Sequence, residues 1–145
     1  MRALRILNTK ERESLLIALS LKYGIDAKQF NGRVFLEDKD EVWVSSRGCL
    51  DANMVGFNVD SVGMLFARKK QQLELTVNAV QLFFSGAGKD AITLGREEAV
   101  GFINGSGLKV EKGNGLYIVK HMGSVIDLGC VEEGILKRNS GKQNP

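Results

Sequence analysis

Hydrophobic and polar positions along the chain follow two rhythms. Near the start, Leu15, Leu16, Leu19 and Tyr23 recur at helical spacing. That spacing gathers them on one face of a helix over residues 10–23. Thr9 can cap its start, Glu11 and Glu13 suit its positive end, and Gly24 can close it. The period then shortens to two. Val34 and Leu36 alternate within Arg33–Glu37, and Val42 and Val44 alternate within residues 41–45. Asn31-Gly32 precedes the first run and a polar turn over 38–40 separates the two, so the pair reads as a β-hairpin. Residues 46–55 offer a short helical face through Leu50, Met54 and Val55. A strand is expected over 64–70, ending in the basic Arg68-Lys69-Lys70. A helix is expected over 73–84, with Leu75, Ala79, Leu82 and Phe83 on one face. Thr76, Val77 and Val80 count against it, because β-branched side chains lose rotamer freedom in helices. A strand over 89–94 and a helix over 96–104 follow, the latter acidic in its first turn.

The rest of the chain is organised around residues 102–131. Gly105-Ser-Gly107 stops the preceding helix, since glycine enters left-handed backbone without steric cost. Three apolar runs come next, over 108–110, 116–119 and 125–131. Gly113-Asn-Gly115 and Met122-Gly123 separate them with the positive-φ residues that hairpins use. A helix, a glycine loop and tightly turned strands describe a small β-barrel or pseudo-barrel. No nucleophile lies beside a base there, so the stretch reads as a binding surface. Residues 139–145 have the composition of a tail.

Composition sharpens this in two places. Five of the 17 glycines precede residue 86 and twelve lie from Gly86 onward, which points to two structural units meeting around 71–88. The 145 residues are 43% hydrophobic and 26% charged, enough apolar content for a core. Net charge is +3 and pI about 8.9, a mild excess that permits a nucleic-acid partner without demanding one. No apolar run approaches the roughly 18–20 residues of a membrane span. The N-terminus turns charged too early for a secretory leader, and a cytoplasmic location is expected.

The chemistry-bearing residues are sparse. Two cysteines, Cys49 and Cys130, are too few for a disulfide framework and suit small buried apolar roles. His121 is the single histidine and has no metal-type spacing to either cysteine. Gly86-Ala-Gly88-Lys89-Asp90 superficially resembles a phosphate loop. It has Phe83 where the first glycine belongs and Asp90 where Ser or Thr would hold magnesium, so a turn is expected. The other glycine pairs lack the strand–GxGxxG–helix context of a dinucleotide site. Asn104-Gly-Ser106 matches a glycosylation acceptor, which a cytosolic chain does not use. Lys109, Lys112 and Lys120 lie on or beside the hairpins, and Lys137, Arg138 and Lys142 follow the last expected strand. Each can contact a phosphate.

Four segments resemble one family in order and spacing. Val59-Asp-Ser61-Val62-Gly63-Met64-Leu65-Phe66 is similar to its Ser-Leu-Gly strand signature. Leu73-Glu-Leu75-Thr76-Val-Asn-Ala79 is similar to its Leu-x-Val-Thr-Ala-Leu helix. Phe102-Ile-Asn-Gly105 resembles the Phe-Leu-Tyr-Gly step into the hairpins. Gly115-Leu-Tyr-Ile-Val119 with residues 124–129 resembles the strand pair ending in an apolar-Gly-x-Gly element, here Asp127-Leu128-Gly129-Cys130 without the second glycine. Over its whole length the chain thus resembles the PUA-containing ribosome-biogenesis factors related to the Nip-seven protein of large-subunit maturation. A similar pattern occurs in RNA-binding domains of some rRNA cytosine methyltransferases, but there is no room here for a methyltransferase domain.

The resemblance implies an α+β protein, with an α/β pre-PUA domain over 1–71 packed on a PUA-like pseudo-barrel over 72–145. It implies a non-enzymatic RNA-binding factor in rRNA processing or ribosomal subunit assembly. In the family, basic residues after the last PUA strand contact RNA, which here are Lys137 and Arg138 with Lys142 nearby. Lys109 and Lys120 join them as phosphate contacts, and Gly105 and Gly107 let the RNA approach the backbone. The expected partners are RNA, ribosomal in kind, and other assembly proteins, with no cofactor, metal or membrane. The alternatives are a protein-interaction adaptor, with an exposed apolar patch on the first unit, and an accessory to an RNA-modification enzyme. A catalytic site would need paired ionisable groups, and the sequence offers no such pair.

Overall fold

The computed structural model describes residues 4–47 and 63–139. Expectations for 46–55 beyond residue 47, and those on Cys49, residues 59–62 of the signature and Lys142, lie outside the described residues. The chain divides into two compact units, Met1–Ser20 with Asp26–Thr76, and Leu21–Ile25 with Val77–Pro145.

The first unit carries β1 (Arg5–Ile6), most of α1 (Thr9–Tyr23), β2 (Arg33–Glu37), β3 (Glu41–Ser46), β4 (Met64–Lys69) and β5 (Leu73–Leu75). The strands lie in sequence order in one antiparallel sheet. The expected hairpin forms, with Phe35 opposite Val44 and Glu37 opposite Val42. Gly32 supplies the positive φ, +80°, ahead of it. Both faces of β2 are buried. Val34 and Leu36 meet Leu4 and Trp43, while Phe35 meets Phe30 and Phe66 with ring centroids 5.2–5.9 Å apart. The Arg12 guanidinium lies 5.5 Å from the Phe35 ring centroid and donates to the carbonyls of Phe30 and Arg33. Gly63 enters β4 so close to β3 that a Cβ would stand 2.5 Å from the Val44 carbonyl oxygen.

The helix expected over 73–84 is corrected. Its first three residues form β5 on the edge of β4, and α2 spans only Val77–Phe83. Thr76 makes the break. Its amide donates to Phe66 O at 3.0 Å and its hydroxyl to Leu65 O at 2.8 Å, so the backbone turns there instead of winding. Once the helix starts at Val77 the buried face becomes Ala79, Val80 and Phe83, and Leu82 is 64% exposed.

The second unit contains α2, β6 (Ala91–Thr93), α3 (Arg96–Ile103), β7 (Leu108–Lys109), β8 (Gly115–His121), β9 (Ser124–Glu132) and β10 (Ile135–Arg138). Its sheet runs β6-β8-β9-β10-β7, with β6 parallel to β8 and every other pair antiparallel. It curls into a half-barrel. Side chains from both edge strands, Ile92 of β6 and Leu108 of β7, share one apolar cluster with Ala99 and Phe102 of α3 and Val119, Val131 and Leu136 of the central strands. The α+β class and pseudo-barrel expectation hold at this level. Elsewhere in this unit Tyr23 packs edge-on against Phe84, with centroids 5.4 Å apart.

Two expectations here are corrected. The run over 108–110 does not pair with β8 across Gly113-Asn-Gly115. It pairs with β10, Leu108 opposite Leu136, and the Val110 amide donates to Gly134 O. The chain also does not end its sheet at residue 131. Glu133-Gly134 turns at φ +50° and +77°, like Met122-Gly123 at +50° and +80°, and returns as β10. Asn139, expected to begin a tail, is buried, and its amide donates to Leu128 O at 2.9 Å.

Candidate nucleic-acid interface

The site is built where α3 ends and β7 and β10 pair. Gly95 opens α3, its amide donating to the Glu98 carboxylate at 3.0 Å, with Glu97 and Glu98 in the positive first turn. The helix closes in a Schellman arrangement. Gly105, at φ +90°, donates to Phe102 O, and the Ser106 amide donates to Gly101 O. Gly105 thus serves as the left-handed residue that ends the helix. Gly107 has a different task. A Cβ there would lie 2.8 Å from Ile135 Cγ2 and 3.3 Å from Lys137 Cε, so the missing side chain lets both residues of β10 lie across the loop.

Alternation sorts the basic residues. Leu108, Leu136 and Val131 face the apolar cluster, so Lys109, Ile135 and Lys137 take the opposite face. Lys109 stands opposite Ile135, and Lys137 opposite Cys130. Both lysines are exposed. They are diagonal neighbours, about 7–8 Å apart at the backbone in such a ladder. Gly105, Gly107, Lys109 and Lys137 therefore come together at one corner.

Arg138 and Lys120 do not join them. Arg138 takes the inward face of β10, donating through Nε to Asp127 Oδ2 at 3.0 Å and through Nη1 to Ile103 O at 3.0 Å. Asp127 is 1% exposed and also accepts from the Leu128 amide. The guanidinium thereby ties β9, β10 and the end of α3 together. Lys120 Nζ donates to the carbonyls of Ser85 and Ala87, both at 2.7 Å, and holds the loop after α2. In that same loop the amides of Ala87 and Lys89 donate to Phe84 O and Tyr23 O. These donors are turned into the protein, as a turn requires and a phosphate cradle does not.

Beside Lys137 the outer face of β9 and β10 is concave. A hollow of about 710 Å³ is lined by Asn114, Cys130, Glu132, Glu133, Ile135 and Lys137. Asn114 Oδ1 accepts from the Glu133 amide at 2.9 Å, and the Cys130 thiol lies 3.7 Å from Glu132 Oε1. The reading from sequence missed Asn114, Glu132 and Ile135. The signal was present as Glu133-Gly134, a second turn of the Met122-Gly123 kind followed by alternating Ile135-Leu136-Lys137-Arg138.

Other titratable groups serve local structure. His121 Nδ1 donates to Leu94 O at 2.9 Å. Burial, then the Asp90 charge, pushes the Tyr23 hydroxyl upward, away from acid–base use near neutrality. Among the described residues, no group of three His, Cys, Asp or Glu side chains could hold a metal, and no helix is long and apolar enough to cross a membrane.

No protein-family profile matches the chain, and no curated protein shows significant similarity to it. Its fold does have a solved counterpart, a conserved PUA domain protein from Thermoplasma acidophilum. That structure is 15% identical, with a TM-score of 0.56, and the match covers 97% of this chain and 83% of the other. At that identity the likeness concerns the fold, and the fold of this chain is similar to that of a PUA domain protein.

Proposed function

We propose that this protein is a non-enzymatic RNA-binding factor acting in rRNA processing or ribosomal subunit assembly. The observation that carries the reading is the exposed pair Lys109 and Lys137 beside the Gly105–Gly107 loop, on a fold similar to a PUA domain protein. The lysines contact phosphates, and the side-chain-free loop lets the strand approach. Recognition takes single-stranded or irregular RNA, since the major groove of an A-form helix is too narrow to be read by side chains. Ribosomal RNA and other assembly proteins are the proposed partners.

The test is a binding titration at two salt concentrations with single-stranded RNA and ribosomal RNA fragments. Selective binding that weakens steeply with salt is the expected result. In the Lys109→Ala/Lys137→Ala double variant the slope of log affinity against log salt should flatten by about 1.4, at roughly 0.7 per lost single-strand phosphate contact. An unchanged slope would remove these lysines from the interface. Equally weak binding to every RNA would overturn the reading in favour of a protein-interaction adaptor.

A further inference from the structure

Among the described residues β7 is an edge strand, and its register fixes what it shows to solvent. The Val110 amide donates to Gly134 O at 2.8 Å. Those two residues continue the register in which Lys109 stands opposite Ile135 and Leu108 opposite Leu136. Hydrogen-bonded and non-hydrogen-bonded pairs alternate along an antiparallel ladder. Leu108 is therefore bonded to β10 and Lys109 is not. The Lys109 N–H and C=O both point away from β10, out of the open edge. Two cations attend that edge. Lys109 is exposed, and Lys137 leans across from β10, its Cε 3.3 Å from where a Gly107 Cβ would stand. An edge lysine discourages the addition of another protein strand. A second copy of β7 would set lysine against lysine, whereas a polyanion neutralises both.

We propose that the open edge of β7, through the Lys109 N–H and C=O, hydrogen-bonds one base of the single-stranded RNA whose phosphates Lys109 and Lys137 hold. Every base carries a donor beside an acceptor on its Watson–Crick edge. These are N6–H and N1 in adenine, N4–H and N3 in cytosine, N1–H and O6 in guanine, and N3–H and O4 in uracil. The base donor gives to Lys109 O and the base acceptor takes from the Lys109 N–H, as an adjoining strand would. The contact takes any base but needs its Watson–Crick edge unpaired, so a duplex is refused. It selects single strands without selecting sequence. This inference rests on the RNA-binding reading above and adds to it a backbone contact with the bases.

The experiment uses the full chain and fluorescent octamers of uridine, cytidine and 3-methyluridine, titrated at one fixed salt concentration. The N3-methyl group removes the only Watson–Crick donor of uracil and leaves every phosphate in place. Uridine and cytidine octamers should bind within about threefold of each other, and the 3-methyluridine octamer about tenfold more weakly, as the loss of a hydrogen-bonded pair predicts. Lys109→Ala keeps the backbone and should weaken all three alike, leaving that ratio intact. Lys109→Pro removes the outward N–H, which bonds nothing in the ladder, so the edge tolerates it. In that variant the ratio should fall to near one. Equal binding of uridine and 3-methyluridine by the unaltered chain overturns the edge contact and leaves the RNA reading standing, and this comparison needs no variant to fold. A ratio lost in Lys109→Ala, or one that survives in Lys109→Pro, overturns it in the same way. No binding of any octamer, or of longer ribosomal fragments, overturns both.

Discussion

Lys137 and Arg138 are consecutive cations on one strand, yet their surroundings differ in almost every respect. Arg138 faces inward, bonded to the buried Asp127 carboxylate and to the last turn of α3. Lys137 faces outward, exposed beside a glycine loop and a polar hollow. Charge, spacing and chain position are the same for both. The period-two alternation of β10 alone divides them, giving one to the architecture and the other to solvent. A basic cluster in a sequence is therefore not a basic surface until the strand that carries it is known.

The sharpest way to break this contrast is to truncate each in turn. Arg138→Ala should cost about 2 kcal/mol in chemical denaturation, since it takes a charged hydrogen-bond donor away from a buried carboxylate. Lys137→Ala should stay within about 0.5 kcal/mol, as surface changes usually do. Equal losses would show that the two faces do not differ energetically. A second pair compares the same faces through glycine. At Gly129 an added Cβ would stand 2.6 Å from Leu136 Cδ1 and 2.8 Å from Val119 Cγ2, both buried. Gly129→Ala should thus cost about 2 kcal/mol by overpacking. Gly107→Ala meets Ile135 and the flexible Lys137 on the outer face, which can shift aside, so about 1 kcal/mol is expected. A reversed order in thermal or urea unfolding would contradict this assignment of faces.

The smallest expected effect lies in the first unit. The Arg5 guanidinium binds both oxygens of Glu11 at 2.7 Å and also contacts Glu37. Its hydrogen bonds, followed by the Asn8 amide, hold the Glu11 carboxyl down at about 2, and the pairing raises Arg5 in turn. Because Glu11 is lower in the folded chain, its contribution is complete above the ordinary value of 4.5 and is lost as pH falls through about 2. Both side chains are exposed, so salt screens the effect. Glu11→Gln should remove a shallow part of the acid dependence of stability between those pH values. An unchanged pH profile would show the pair to be inert.

Local signals were legible wherever a residue type forces a backbone state. Asn31-Gly32, Met122-Gly123 and Gly105 each turn the chain where the sequence placed a turn, at positive φ. The helix over 10–23 and the strands over 33–37, 116–119 and 125–131 follow from apolar period and bounding turns. The errors lie where partners are distant. Thr76 breaks the helix expected over 73–84 through bonds to Leu65 and Phe66, and β7 finds β10 instead of the nearer β8. The interface shows the same division. Gly105, Gly107, Lys109 and Lys137 were visible as residue types, but Lys120 is held by carbonyls 33 and 35 positions away.

By itself, the sequence determined most of the turns, the apolar face of the first helix and the mixed α+β class, because these depend on side-chain period and on φ at single residues. Only the tertiary structure decided which cations remain available to a ligand. That choice rests on which strand pairs with which, and one residue of register exchanges the two faces of β10 and every charge they carry.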